Sequence, residues 1–411
     1  MNQQWGRFTA KGGKDLEERI SLIISDVVDS LKKEFSDDEY RSIILIGGYG
    51  KGEGGSEIIS GIEHPHNNLD FLLISRDPRP TKVESLRQRL KTVTDSLSSK
   101  HEIGMDSGAV STFALSVAPC LVMWYDMRFG HKTILGDPDY VPSLKHFSVE
   151  RVEPSDVRNL LVNRGTLLVI NDLLLESKLR NNTFSPADQR TVVKHVMKAI
   201  IGYGDAFLFF SGNFHWSYIE KQHRIKNLNG LSEEFKRLYH KAAEFRFRPD
   251  YSAFSELDLQ DWQKQLKTIL EPIHLYCERM RLGLADLSWS EYPEKAFSSL
   301  FFENLTNLRK SAKMIMNYFR GMPKFHWKSK RSRAGWITAG IDSTLPIIFP
   351  VVAYNLSEQN FKKLVQTALD TSDSNLSELQ KCYLKAWGKY KDINSLRFLE
   401  SIGIMSGCEN K

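Results

Sequence analysis

Two carboxylates and an amide stand at spacings that suit metal-assisted phosphoryl chemistry. Asn68-Leu69-Asp70 leads into the apolar run Phe71-Leu72-Leu73-Ile74, which reads as a strand. Residues two apart on a strand point to the same face, so positions 68 and 70 can address the same metal pair. A third acid, Asp106, stands in Ile103-Gly104-Met105-Asp106, just before the strand-like run Ala109 to Leu115. Phosphoryl transfer needs two metal ions to neutralise a triphosphate and to lower the pKa of an attacking hydroxyl. Asn68, Asp70 and Asp106 are therefore the candidate catalytic residues and metal ligands, for two Mg²⁺ ions or Mn²⁺ in their place. Asp106 would act as the base, or as a ligand of the metal that activates the hydroxyl. The plainer reading of Asp106 is a helix-to-strand turn residue.

A glycine-rich stretch precedes this acidic strand. Ser42 to Ile46 reads as a buried strand, followed by Gly47-Gly48-Tyr49-Gly50-Lys51-Gly52-Glu53-Gly54. Glycines let backbone N–H groups approach an anion that side chains would block. The Walker pattern fails, because Lys51 is followed by Gly52 rather than Ser or Thr. The dinucleotide fingerprint is met at Gly50, Gly52 and Gly55, with Asp70 twenty residues beyond Gly50. In that fold, however, the acid ends its strand and a long helix follows the glycines. Here Asp70 sits at the start or middle of its strand, and Gly61-Ile62-Glu63-His64-Pro65-His66 cannot be such a helix. The remaining reading makes Gly47, Gly48 and Tyr49 the holders of terminal phosphates. Lys51 would add charge and Glu53 would orient it; the plain alternative for Lys51 and Glu53 is a solvated loop pair.

Ile44-Leu45-Ile46-Gly47-Gly48 followed by Asn68-Leu69-Asp70-Phe71-Leu72 resembles the polymerase-beta-like nucleotidyltransferase superfamily. The fuller string from Gly47 to Gly54 looks like a bacterial branch with a helical C-terminal half. The resemblance covers residues 41–136 well and 155–225 more loosely, and says little about residues 230–411. It implies transfer of a nucleoside monophosphate from an NTP or dNTP to a hydroxyl, with release of pyrophosphate. The acceptor it implies is an oligonucleotide end, a protein side chain or an aminoglycoside-like small molecule. Bacterial anti-phage systems use this fold to make nucleotide signals or short oligonucleotides. One position departs from the pattern: the family has Asp where this chain has Asn68. Asparagine offers Mg²⁺ a carbonyl oxygen but no charge. Three explanations stay open: an inactivated variant, a nucleotide- or oligonucleotide-binding pseudoenzyme, or metal binding through Asp70 and Asp106 alone. A binding scaffold whose helical half carries the function is a third class of reading.

The elements that must position these groups follow from periodicity. Leu16, Ile20, Ile23, Ile24, Val27, Val28, Leu31 and Phe35 recur at helical spacing, and Val83, Leu86, Leu90, Val93 and Leu97 mark a second helix. The fold expected is α+β: a nucleotidyltransferase domain over residues 1–148, then a mostly α-helical region. The helical region divides into 149–285, completing the nucleotide cleft, and 286–411. A helix is expected from about Ser155 to Lys178, and another from Ser185-Pro186, a good cap followed by a good first helical residue. Both are apolar nearly all round, so Arg164, Lys198 and Asp205 are expected to be buried and partnered. They form a structural network, or else Arg164 and Lys198 reach the nucleotide phosphates, as a helical-domain lysine does in similar nucleotidyltransferases. Tyr218 and Arg224 are further candidates nearby.

The chain has 411 residues and a formal net charge of +6, which permits an anionic partner without requiring one. Lys324 to Trp336 interleaves five basic residues with Phe325, Trp327 and Trp336. Such a stretch suits single-stranded nucleic acid, with charges tracking phosphates and rings stacking on bases; a solvated basic loop is the alternative. The four cysteines are dispersed, without a C-x-x-C pair, which argues against a zinc site or a disulfide framework. His64 and His66 are expected in a turn. No apolar run of membrane-spanning length appears, and Met1 to Phe8 lacks the apolar core of a signal peptide, so a cytoplasmic location is expected. A homo-oligomer is compatible with all of this.

Overall fold

The computed structural model describes residues 5–305 and 340–403. Lys324 to Trp336, the basic and aromatic stretch, lies outside the described residues. The chain is α+β and divides into two compact units: residues 1–157 with 212–250, and residues 158–211 with 251–411. This differs from the expected borders at 148 and 285. Residues 212–250 belong with the N-terminal unit, and the described residues after 285 do not separate from the helices before them.

The first unit is built on a four-stranded sheet. Its strands are β1 (Tyr40–Ile46), β4 (Leu69–Ser75), β5 (Met105–Ser111) and β6 (Lys132–Gly136), in the order β5-β4-β1-β6. β4 is antiparallel to β1 and parallel to β5; β1 is antiparallel to β6. A small hairpin, β2 (Ser56–Ile59) with β3 (Ile62–Pro65), stands apart from this sheet. It was hidden in the sequence because Ile58, Ile59 and Ile62 are exposed rather than alternating in and out.

Period-two alternation decides which face carries chemistry. Leu69, Phe71 and Leu73 of β4, Ile43 and Leu45 of β1, and Met105 of β5 join one buried cluster. That cluster also holds Leu16, Ile20, Ile24 and Leu31 of the helix Lys14–Glu34 and Leu86, Leu90 and Leu97 of the helix Pro80–His101. Asp70 and Asp106 fall between the inward residues, so both face away from the two helices. The helix Pro80–His101 is the crossover that makes β4 and β5 parallel. It ends at Glu102, which takes a left-handed conformation (φ 53°) and turns the chain into β5 within three residues.

The described part of the second unit is helical. Its longest helices are Pro154–Arg180, which opens in the last residues of the first unit, Pro186–Phe210 and Leu259–Leu282. The Pro186–Phe210 helix opens with a capping box: Ser185 Oγ accepts from the Asp188 N–H while the Asp188 carboxylate accepts from the Ser185 N–H. Gly283, at φ 66°, ends Leu259–Leu282. The apolar run around Pro346 and Pro350 is a buried helix, Ile341–Tyr354. No helix among the described residues is long and apolar enough to cross a membrane.

Candidate functional site

The sheet brings the three predicted residues together. In the parallel β4–β5 pair, Asp70 lies opposite Asp106 in register. Asn68 immediately precedes β4, and its Nδ2 donates to Asp106 Oδ2 at 2.9 Å. Asp106 is the second residue of β5 rather than a turn residue before a strand. Asn68 and Asp106 are exposed and Asp70 is half-buried, so the cluster opens to solvent.

Two glycines make room for it. Gly47, at φ 70°, follows β1 where that strand's last residue, Ile46, lies opposite Asp70. A Cβ at Gly47 would come 2.3 Å from Asp70 Oδ2. Gly104, in the connection to β5, backs Asn68: a Cβ there would lie 2.2 Å from Asn68 Oδ1. Any other residue at Gly47 would combine backbone strain with a collision on the carboxylate.

Burial and a neighbouring carboxylate set the electrostatics of the cluster. Asp70 is pushed up to about 6, first by burial and then by the charge of Asp106, with Arg246 opposing both. Two carboxylates side by side disfavour double ionisation unless a cation sits between them. Among the described residues no group of three or more His, Cys, Asp or Glu could hold a metal ion. The donor set is two carboxylates, plus an amide oxygen if the Asn68 amide turns over. That set fits Mg²⁺ or Mn²⁺, since Mg²⁺ is commonly held by one or two carboxylates together with substrate phosphates.

The glycine loop is organised differently from expectation. Lys51 Nζ pairs with Asp126 Oδ2 at 2.5 Å and donates to the Trp216 carbonyl at 2.8 Å, and its side chain is 5% exposed. Its charge is engaged within the fold, which corrects the solvated-loop reading. Glu53 does not orient Lys51. It is buried, and it accepts from Ser217 Oγ and from the Tyr218 N–H at 2.8 Å. It thereby fixes the start of the helix Tyr218–Lys226. Tyr49 is also internal: its hydroxyl donates to the Gly55 carbonyl at 2.8 Å, and burial pushes its pKa up to about 12. Its side chain braces the loop. Gly47 and Gly48 are only half-buried and line the cluster side.

Of the residues expected from the helical region, Arg164, Lys198 and Asp205 lie in the second unit, whereas Tyr218 and Arg224 lie in the first. Lys198 is exposed, contrary to the expected burial, whereas Asp205 is buried. A polar stripe through Arg190, Lys194 and Lys198 runs along the first half of Pro186–Phe210 and stops where the all-buried run from Ala199 to Leu208 begins. Arg164 is half-buried, and its stem packs where a Gly202 Cβ would fall, 2.5 Å from Arg164 Cβ. Arg224, on Tyr218–Lys226, is engaged with Glu220 Oε1 at 2.8 Å and the carbonyls of Asn213 and Phe214. His64 lies in β3 and His66 Nδ1 meets Glu57 Oε2 at 2.9 Å, so the pair belongs to the hairpin.

One residue near the cluster escaped the sequence reading. Arg246, on the helix Glu233–Phe247, has Nη2 3.6 Å from the Cβ position of Gly48, and its charge acts on Asp70. The available signal was Phe245-Arg246-Phe247-Arg248, where a basic residue interrupts a buried aromatic pair. Comparison of the chain with protein-family models, with curated proteins and with solved structures yields no match.

Proposed function

We propose that this chain is a metal-dependent nucleotidyltransferase, moving a nucleoside monophosphate from an NTP or dNTP to a hydroxyl acceptor. The observation that carries the reading is the in-register pair Asp70 and Asp106, with Asn68 bonded to Asp106, beside the turn at Gly47 and Gly48. Asp70 and Asp106 would hold Mg²⁺ or Mn²⁺. A divalent cation there supplies charge neutralisation for the phosphates and a lowered pKa for the acceptor hydroxyl. The acceptor oxygen bonds to the α-phosphorus as the bond to pyrophosphate breaks. Asp106, exposed at the rim, is the group suited to take the hydroxyl proton. Gly47 and Gly48 keep the approach to Asp70 clear of side chains.

A second reading, a nucleotide-binding protein without turnover, is favoured by the Asn68–Asp106 hydrogen bond. The amide N–H ties up one oxygen of a carboxylate that catalysis would need. The test is incubation with each labelled NTP and dNTP plus Mg²⁺ or Mn²⁺, using this chain and its Asn68→Asp form, with label transfer and pyrophosphate release as readouts. Transfer by this chain supports the enzyme; binding without transfer by this chain, whether or not Asn68→Asp restores transfer, supports the second reading; neither binding nor transfer by either form overturns both.

A further inference from the structure

Arginines that are half-buried ordinarily find a carboxylate or a set of carbonyls. Arg246 has none. Its Nε is shielded from water without a hydrogen-bond partner. Among the described residues no hydrogen bond or ion pair engages the guanidinium, in contrast to Arg248 two positions on, which donates to the Lys11 carbonyl and pairs with Glu63. The group is nonetheless held in place. Its carbon lies 4.3 Å from the centre of the Tyr218 ring, and Phe245 and Phe247 on either side are buried. Tyr218 is fixed in turn, because Glu53 accepts from its backbone N–H. Arg246 therefore presents a restrained, unsatisfied donor fork toward Gly48, near enough to Asp70 to favour its ionised form.

We propose that Arg246 binds the polyphosphate of the nucleotide, taking non-bridging oxygens of the terminal phosphates on the Gly48 side of the carboxylate cluster. This rests on the reading of that cluster as a nucleotide site. A guanidinium fork matches phosphate oxygens two at a time, and stacking on an aromatic ring fixes its plane beforehand. Lys51 cannot serve, because Asp126 and the Trp216 carbonyl already hold it.

The test is calorimetric titration of the full chain with inorganic tripolyphosphate and with an NTP, each with Mg²⁺, for wild type, Arg246→Met, Arg246→Ala and Arg246→Lys. Arg246→Met keeps an apolar stem on Tyr218 without the charge, which separates binding from folding. We expect Arg246→Met and Arg246→Ala to weaken both ligands by about ten- to a hundredfold, the usual worth of charge-assisted hydrogen bonds. Arg246→Lys should recover part of that loss, and the melting temperature of Arg246→Met should stay near wild type. Wild-type affinity for both ligands in a folded Arg246→Met protein overturns the assignment and leaves the transferase reading standing. Failure of the wild type to bind tripolyphosphate also overturns it. Arg246-dependent tripolyphosphate binding without label transfer by any form upholds the anion site and removes the transferase.

Discussion

Asp70 and Asp106 occupy the same register position on neighbouring parallel strands, so their carboxylates share one face of the sheet. Burial and this proximity raise Asp70 to about 6, and the Asn68 amide is the only neutral member of the trio.

Asn68→Asp follows directly. It adds a charge beside Asp106 and replaces the N–H donor with an acceptor. We expect turnover to rise by at least about a hundredfold, the typical value of one transition-state charge contact. Steady-state pyrophosphate release checks it; equal rates for the two forms would show that position 68 is not the site of a missing ligand.

Lys51 should behave as a structural residue. Lys51→Met strands Asp126 beside a buried carbonyl, and loss of one partner of a buried pair costs about 3 kcal/mol. We expect a clear fall in melting temperature, with nucleotide affinity kept at temperatures where the protein remains folded. Loss of nucleotide affinity without loss of stability would return Lys51 to the phosphate site.

His274 in the second unit carries a pH signature. It is fully buried, Nδ1 lies 3.1 Å from the Tyr354 hydroxyl, and Nε2 has no partner. Burial depresses its pKa to about 4; Arg158 and Arg281 push the same way and Glu278 opposes. The unfolded imidazole takes a proton near the ordinary histidine value of 6.5 while the folded one stays neutral. Stability should therefore be full above about pH 6.5 and fall by about 3 kcal/mol as pH drops toward 4. Melting curves across that window should show His274→Phe losing about one proton's worth of slope; an unchanged slope would contradict this.

The face that carries Asp70 was legible because strand alternation is local. Asn68, Asp70 and the apolar residues after them encode it without help from the rest of the chain. Asp106 reads as lying before a strand that starts at Ala109, since Ser107 and Gly108 disguise the start of β5 and only pairing with β4 extends the strand back to Met105. Lys51 and Glu53 were misread for a different reason. Their partners Asp126, Trp216, Ser217 and Tyr218 lie far along the chain, and no short-range pattern announces a contact across more than seventy residues. The same distance hid Arg246, whose meaning depends on Gly48 and Tyr218. Lys198 was judged by the apolar second half of its helix, although its own half carries a polar stripe.

Metal binding at Asp70 and Asp106 tests the central claim most directly, because it needs no knowledge of the acceptor. Mn²⁺ titrations followed by electron paramagnetic resonance, with an NTP present, should show bound Mn²⁺ in the wild type. Asp70→Ala should lose that binding while melting at or slightly above the wild-type temperature, since removing one of two repelling carboxylates relieves strain on the apoprotein. A folded Asp70→Ala protein that binds Mn²⁺ and nucleotide as the wild type does would contradict the account.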